Sequence, residues 1–289
     1  MDFRAVLMGL AFAFMWSSAF TSAHMIVADA PPLAALSLRF LISGLIGVSI
    51  AAASGQTWRL PRVQWRSIVI FGICQNALYL GLNFVAMRKV EASLASIIAS
   101  TMPLIVALLG WLALGHRPRP LGLAGLVAGF VGVAIIMGTR LSGQVDLPGV
   151  GLCVVGALAL AVATLTVRGA SAGGNLLMTV GLQMFVGSAV LGLLSLALED
   201  WQVTWTMRLA LAFAYTTLVP GLIATWVWFR LVERIGAIRA ATYHFLNPFF
   251  GVAIAAILLN ERLQPTDVIG VAVIAAGILA VQISRKAET

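Results

Sequence analysis

The sequence predicts an all-α integral membrane protein with ten transmembrane helices, arranged as two inverted five-helix repeats around a central cavity. Composition and an internal duplication predict this class. Of the 289 residues, 61% are hydrophobic and only 10% are charged, whereas a soluble domain carries about 25% charged residues. Because a membrane-spanning helix needs about 20 apolar residues, ten helices with short loops account for the whole chain.

The duplication appears when residues 96–137 are compared with residues 241–282, a shift of 145 positions. The identical pairs are Pro103/Pro248, Leu114/Leu259, Arg117/Arg262, Pro120/Pro265, Gly125/Gly270 and Gly132/Gly277. All but one are Pro, Gly or Arg, which set backbone shape or charge and are not the common apolar types of this chain. Such a repeat is typical of membrane transporters. We predict a first repeat at residues 1–144 and a second at residues 145–289.

Apolar runs between Pro, Gly and charged residues place the helices. They are predicted at 4–27, 33–53, 66–87, 92–114, 120–138, 148–168, 175–198, 208–230, 238–259 and 264–283. The first apolar run is long enough to span a membrane, so it is interpreted as helix one and not as a cleavable signal.

The Lys and Arg residues predict the orientation of the helices. With the N-terminus inside the cell, twelve of them lie on the inner side, five lie on the outer side, and Arg39 lies within helix two. Both termini are therefore predicted to be cytoplasmic, because positive charge accumulates on that side. Each repeat has an odd number of helices, so the second is predicted to be inverted, with a substrate site near mid-membrane.

Helix three carries a polar stripe of Gln75, Asn76, Tyr79 and Asn83. Spacings of four and seven residues place these side chains on one helix face. Polar groups are costly inside a bilayer, so each of them needs a partner or water. The stripe is predicted to line a substrate cavity; the alternative is hydrogen bonding between helices without a ligand role.

Three prolines lie well inside predicted spans: Pro103 in helix four, Pro248 in helix nine, and Pro220 in helix eight, where Gly221 follows it. A proline within a helix removes one backbone hydrogen bond and frees a carbonyl one turn earlier. Because transporters use such breaks as hinges and ligand contacts, the three prolines and Gly221 are predicted to be hinge residues. The alternative is a structural kink.

Aromatic and polar side chains near these breaks extend the predicted substrate site. Trp16 lies near mid-depth in helix one, away from the interfacial belt that Trp usually occupies. A central Trp suits stacking on an apolar substrate, and packing against the core or lipid is the alternative. The other predicted contacts are Ser17, Tyr215, Trp226, Tyr243, His244 and Asn247.

Arg39 is the one full charge well inside a predicted span. It lies roughly 12 Å from the outer end of helix two, at about 1.5 Å per residue. At a wet cavity it would attract an anionic group such as a carboxylate; the alternatives are a structural ion pair or a side chain that extends to the membrane surface. Its counterpart in helix seven is Gln183, which keeps the polarity but not the charge.

The sequence lacks a motif for ATP binding and a motif for metalloprotease catalysis. The chain has no Gly-x-x-x-x-Gly-Lys-Ser/Thr phosphate loop and no His-Glu-x-x-His motif, so transport without ATP is expected and enzymatic activity is not. We expect no cofactor and no metal site. The net charge of +8 is explained by the orientation of the helices, so we expect no nucleic-acid partner either. An intramembrane enzyme is the alternative of a different class.

The sequence resembles the EamA branch of the drug/metabolite transporter superfamily. The segments that carry the resemblance are Trp16-Ser17-Ser18, Leu38-Arg39-Phe40, Met102-Pro103-Leu104, Asn247-Pro248-Phe249 and Leu259-Asn260-Glu261-Arg262-Leu263. The family ends helices four and nine with a Gly-Glu-Arg-like motif. Here the first copy reads Gly115-His116-Arg117 and the second reads Asn260-Glu261-Arg262, so each departs by one residue.

This resemblance implies a ten-helix basket in a bacterial inner membrane that exports small metabolites by alternating access. Within the family the chain is similar to the YddG-type amino-acid exporters, which implies an aromatic or other apolar amino acid as substrate. An exporter of drugs or other lipophilic compounds is the alternative of the same class. The expected partners are the substrate and the lipid bilayer, and the sequence does not choose between a monomer and a homodimer.

Overall fold

The computed structural model describes residues 3–115, 119–140, 145–166, 175–235, 240 and 242–286. Within these residues nine helices are long and apolar enough to cross a membrane, and a tenth, at Tyr243–Leu259, is shorter. We number the spans α1 (Phe3–Asp29), α2 (Pro32–Ala53), α3 (Arg62–Phe71, Gly72–Leu80 and Gly81–Ala86), α4 (Ala92–Ser100 and Met102–Leu114), α5 (Pro120–Arg140), α6 (Leu147–Thr166), α7 (Leu176–Leu198), α8 (Met207–Leu218, Val219–Ile223 and Ala224–Ile235), α9 (Thr242–Leu246 and Asn247–Leu259) and α10 (Pro265–Lys286).

The ten predicted helices correspond one to one with α1–α10, and two boundaries differ most from the prediction. α3 begins earlier, at Arg62 directly after Pro61, because a proline is well tolerated where a helix starts. α8 continues past the predicted end at 230 to Ile235, because its polar last turn extends beyond the apolar part of the span. The predicted start of helix nine, residue 238, lies outside the described residues.

Four spans are interrupted, and proline explains three of the interruptions. Pro103 and Pro248 each stand in the first turn of a new helical segment, where the missing N–H has no helical partner to lose. Pro220 lies in a wider, π-helical turn at Val219–Ile223, because it cannot donate the usual backbone hydrogen bond. A longer π-helical stretch in α3, Gly72–Leu80, contains no proline and was not predicted.

Duplicated glycines bring α5 and α10 into close contact as crossed pairs. A Cβ built on Gly125 would lie 2.7 Å from the carbonyl oxygen of Gly277, and one built on Gly132 would lie 2.8 Å from that of Gly270. In the sequence, Gly125 is the counterpart of Gly270 and Gly132 is the counterpart of Gly277. Each glycine therefore contacts the counterpart of the other, which is the property of a two-fold axis.

The crossing of α2 and α7 follows the same rule. Ser37 and Ser188 form one contact, and Gly44 and Gly181 form the other, a Cβ on either glycine lying 3.2 Å from the carbonyl oxygen of its partner. A shift of 144 positions, the shift that relates Arg39 to Gln183, pairs Ser37 with Gly181 and Gly44 with Ser188. In both crossings, the contact with the higher residue number on one helix has the lower residue number on the counterpart helix. Counterpart helices are thus antiparallel, and the second repeat is inverted.

Candidate functional site

A narrow cavity lies between one face of α1 and one face of α3, with single residues from α2 and α8. Its lining residues are Trp16, Ala19, Phe20, Ala23, Arg39, Tyr79, Leu80, Asn83, Phe84, Met87 and Pro220. Its volume, traced by the centres of water-sized spheres, is about 50 Å³. A water molecule needs about 10–15 Å³ on this measure, so the cavity has room for a few waters.

Arg39 supplies a positive charge to this cavity. Its side chain is 7% exposed, and its Nε has no hydrogen-bond partner. Among the described residues no carboxylate forms an ion pair with it, and its guanidinium lies 5.4 Å from the centre of the Phe40 ring. A charge at the centre of a membrane helix costs about 3 kcal/mol on insertion scales, and no described carboxylate offsets that cost for Arg39.

Gly221 allows the backbone of α8 to approach this arginine. A Cβ built on Gly221 would lie 3.5 Å from Nη2 of Arg39 and 3.2 Å from the carbonyl oxygen of Thr216. Pro220, the residue before it, lines the cavity. The π-helical turn of α8 therefore borders the charged part of the cavity.

Asn83 and Tyr79 form the polar surface of α3 at the cavity. The Asn83 Nδ2 donates to the carbonyl oxygen of Tyr79 at 2.8 Å, while its Oδ1 is buried without a partner. α6 packs tightly against this hydrogen bond, because a Cβ on Gly156 would lie 3.0 Å from Asn83 Nδ2 and 3.1 Å from the Tyr79 carbonyl oxygen. The packing holds the amide in place and leaves one buried acceptor unused.

The predicted polar stripe is divided between two roles. Asn76 lies against α7, where its Nδ2 donates to the carbonyl oxygen of Gln183 at 2.9 Å, and Gln75 is half-buried outside the cavity lining. The π-helical stretch Gly72–Leu80 explains the division. A wider turn changes which residues share a face, so a spacing of four no longer aligns Gln75 with Tyr79 inside this stretch. Of the stripe, only Tyr79 and Asn83 line the cavity.

An aromatic cluster continues from the cavity along α1. Trp16 belongs to both, since it lines the cavity and its ring lies 6.5 Å from that of His244. Phe12 packs against Trp228 with ring centroids 4.7 Å apart, and Trp228 against His244 at 5.1 Å. The cluster joins α1, α8 and α9 next to the cavity, and Trp228 was missed in the sequence.

Polar contacts of α9 support this cluster. The Ser17 hydroxyl donates to the carbonyl oxygen of Asn247 at 3.2 Å, and the Asn247 Nδ2 lies 3.0 Å from Nδ1 of His244. Tyr243 packs farther along α1, against Gly9 and the apolar side chain of Leu231. These predicted contacts thus surround the aromatic cluster and do not line the cavity itself.

Two predicted contacts lie elsewhere. Trp226 is 56% exposed on the outer surface of α8, with the Arg230 guanidinium 5.7 Å from its ring, so the structure does not bring it to the cavity. The Tyr215 hydroxyl shares a 2.7 Å hydrogen bond with the Ser18 hydroxyl and joins α8 to α1, and neither residue lines the cavity.

The apolar part of the cavity was missed in the sequence. It consists of Ala19, Phe20, Ala23, Leu80, Phe84 and Met87. Helical spacing from Trp16 on α1 and from Tyr79 and Asn83 on α3 is the signal that points to these positions. The apolar residues themselves are indistinguishable from lipid-facing ones by type.

Neither a metal site nor a hydrolase motif is found among the described residues. Within the described ranges no group of three or more His, Cys, Asp or Glu residues could hold a metal ion. The segment Gly169-Ala170-Ser171-Ala172-Gly173 matches the Gly-x-Ser-x-Gly pattern of some hydrolases, a pattern that acts in a strand–turn–helix context. It follows α6 in the chain, outside the described residues.

The sequence pattern of the EamA-like transporter family matches residues 3–138 and again residues 147–283. The chain belongs to the EamA-like transporter family. The two matches follow the duplication, while residues 141–144, next to the predicted boundary between the repeats, lie outside the described residues. As an EamA-like transporter with many apolar helices and bacterial relatives, it is a multi-pass inner-membrane protein that moves a small molecule across a lipid bilayer.

Curated relatives cover nearly the whole transporter. The "Uncharacterized transporter YvbV" of Bacillus subtilis is 26% identical over 95% of this chain and 90% of its own. The "Probable amino-acid metabolite efflux pump" of Escherichia coli is 24% identical over 91% of this chain and 90% of its own. A protein of known crystal structure, 21% identical, covers 99% of each chain with a TM-score of 0.70, which shows the same fold.

Proposed function

We propose that the protein exports amino acids with aromatic or other apolar side chains by alternating access, without ATP and without catalysing a reaction. The observation that carries this proposal is Arg39, buried, unpaired among the described residues and at the wall of a cavity. A substrate carboxylate would supply the missing charge, since arginine binds carboxylates through two parallel N–H donors.

The rest of the cavity suits the other parts of an amino acid. An ammonium group can donate to the unused Oδ1 of Asn83 and lie over the rings of Trp16 or Tyr79, which attract cations. The apolar lining residues suit an apolar side chain. A relative named as a probable amino-acid metabolite efflux pump supports the same substrate class.

The predicted hinges are proposed to lie at the breaks of α4, α8 and α9. Pro103 and Pro248 each begin a new helical segment, and Pro220 and Gly221 lie in a π-helical turn beside the cavity. A break of this kind separates two rigid segments that can tilt independently. Pro248→Ala is expected to lower the maximal transport rate more than the substrate affinity, and a change confined to the affinity would contradict a hinge.

The topology is part of the proposal. Twelve Lys and Arg residues on one side against five on the other favour cytoplasmic termini, with repeats at residues 1–144 and 145–289. The cavity would then open alternately to the cytoplasm and to the outer side as the inverted repeats tilt against each other.

The test is counterflow in proteoliposomes with a panel of amino acids. Phenylalanine and leucine are expected to exchange, while phenethylamine, which lacks the carboxylate, is not. Arg39→Gln, which copies the counterpart Gln183, is expected to reduce amino-acid exchange at least tenfold, and Arg39→Lys to retain part of it. Exchange of no amino acid by the wild-type protein would reject the proposal.

One observation favours a second candidate, an exporter of lipophilic compounds. Seven of the eleven lining residues, all except Trp16, Arg39, Tyr79 and Asn83, have apolar side chains. In that case uncharged aromatic compounds and phenethylamine would exchange, and Arg39→Gln would leave the exchange unchanged.

A further inference from the structure

We propose that Ala19 and Ala23 of α1, facing the same cavity as Phe84 and Met87 of α3, limit the size of the substrate side chain. This inference rests on the proposed function: with the substrate carboxylate at Arg39, the side chain must lie against the remaining, apolar lining. These four residues are the size filter.

The lining of α3 begins with the polar Tyr79 and ends with the apolar Met87, with Leu80, Asn83 and Phe84 between them. Met87 follows Tyr79 by eight residues, which is about 12 Å along a helix. Phe84 and Met87 are 2% and 1% exposed, so the apolar end is closed by protein. A molecule with one charged end and one apolar end matches this order, while a molecule charged at both ends does not.

The two alanines determine the width of the cavity on the side of α1. They are four residues apart and therefore share a helix face, and larger aromatic side chains, Trp16 and Phe20, line the cavity beside them. Ala23 is 2% exposed and packs in the main apolar cluster, and Ala19 is half-buried. Because the cavity volume is only about 50 Å³, each added methyl group would remove a large share of it.

The experiment measures the ratio of phenylalanine to alanine exchange in proteoliposomes. Ala19→Val and Ala23→Val are expected to lower this ratio about tenfold or more, because one methylene in an apolar pocket changes discrimination by about 10- to 200-fold. Met87→Ala is expected to raise the ratio. The matched control is Ala11→Val on the exposed face of α1, which is expected to keep the wild-type ratio.

The possible outcomes distinguish a failure of the size filter from a failure of the proposed function. A wild-type protein that exchanges no amino acid rejects the proposed function. An active Ala19→Val protein with an unchanged ratio overturns the filter alone. Should Ala23→Val fail to fold, the opposite shifts expected of Ala19→Val and Met87→Ala still decide the matter.

A second inference starts from two carboxylates at the face of the molecule where α1 ends, which we call the Asp29 face. Glu199, directly after α7, accepts hydrogen bonds from the backbone amides of Leu33 at 2.8 Å and Ala34 at 2.9 Å, at the start of α2. The Ser195 hydroxyl also donates to it at 2.7 Å. The end of α7, in the second repeat, is thus hydrogen-bonded to the first turn of its counterpart α2, in the first repeat.

Glu261 makes the same connection between α9 and α4. Its carboxylate accepts from the backbone amides of Ala92 at 2.8 Å and Ser93 at 3.1 Å, at the start of α4. Negative charge at a helix N-terminus is stabilised by the free N–H groups and the helix dipole. The first repeat has His116 at the position of Glu261, so the duplication does not repeat this carboxylate.

Among the described residues of the opposite face, a neutral group makes the contact that corresponds to Glu199. There the Gln56 Oε1 accepts from the backbone amide of Met178 at 3.0 Å, near the start of α7. Hydrogen bonds to an ionised acceptor are roughly twice as strong as neutral ones. The contact of Gln56 at the start of α7 is therefore expected to be weaker than that of Glu199 at the start of α2.

We infer that Glu199 and Glu261 hold the Asp29 face closed and must release the N-termini of α2 and α4 before the cavity opens there. Each carboxylate joins one repeat to the other, and the repeats are the units that move in alternating access. The size filter residue Met87, at the end of α3, is buried between the cavity and this face.

The test uses one reporter thiol at Ala19→Cys, with Cys74→Ala and Cys153→Ala to remove the native thiols. In sealed vesicles of both orientations, a membrane-impermeant maleimide is added outside. Glu199→Ala with Glu261→Ala is expected to raise labelling from the Asp29 face several-fold, and the Gln variants less. Asp200→Asn, at an exposed residue of the same face, is the control; a labelling rate equal to that of the control would overturn the inference.

Discussion

Ser37 and Ser188 donate hydrogen bonds to each other's backbone: each hydroxyl lies 2.8 Å from the carbonyl oxygen of the other residue. The two bonds join α2 and α7, counterpart helices of the two repeats, at their crossing. Because both acceptors are backbone carbonyls, neither bond needs the other side chain.

This independence predicts additive losses of stability. Ser37→Ala and Ser188→Ala are each expected to cost about 0.6 kcal/mol, the average for hydrogen bonds between membrane helices, and the double variant about twice that. Unfolding in mixed detergent micelles measures the three values as a double-mutant cycle. A large coupling energy would show that the 3.3 Å contact between the two hydroxyls carries the interaction instead.

The α5–α10 crossing predicts a larger effect at Gly277. A Cβ there would lie 2.6 Å from both the Gly125 carbonyl oxygen and the Gly129 amide nitrogen, and backbone atoms cannot move aside without separating the helices. Gly277→Ala is expected to destabilise the protein by about 1–3 kcal/mol. Gly151→Ala, where nothing lies within 4 Å of the added carbon, is expected to be neutral or slightly stabilising. Equal effects in thermal unfolding would contradict the close crossing.

Asn83 and Asn76 are expected to differ although both are buried asparagines of α3. Asn83→Ala removes the unused acceptor at the cavity and is expected to lower transport at least tenfold with the folded protein retained, as is Tyr79→Ala. Asn76→Ala removes a hydrogen bond to α7 and is expected to cost about 1 kcal/mol of stability with transport preserved. Flux assays and unfolding on the same preparations compare them, and normal flux in Asn83→Ala would remove α3 from the substrate site.

Trp228 and Trp226, two residues apart on α8, form a matched pair. Trp228 packs on Phe12 and His244 beside the cavity, whereas Trp226 is exposed on the outer surface. Trp228→Ala is expected to reduce transport, and Trp226→Ala to leave it near the wild-type rate. The reverse order in proteoliposome flux would mean that α8 is rotated relative to the described orientation.

Composition and repetition alone determined the membrane class, the number of helices and the inversion of the second repeat. These properties depend on sums and spacings that survive local variation: a low charged fraction, apolar runs of span length, and duplicated Gly and Pro residues. The duplicated glycines proved to be the residues that cross at the two-fold axis, because a close helix approach tolerates no other side chain.

Tertiary structure alone decided which polar and apolar residues meet at the cavity. The stripe on α3 was divided by a π-helical stretch that contains no proline. Trp228, and not the predicted Trp226, packs beside the cavity. In a chain that is 61% hydrophobic, Ala19, Phe84 and Met87 cannot be told from lipid-facing residues by type. Their role depends on which helix lies opposite, and that is settled only by how the repeats pack.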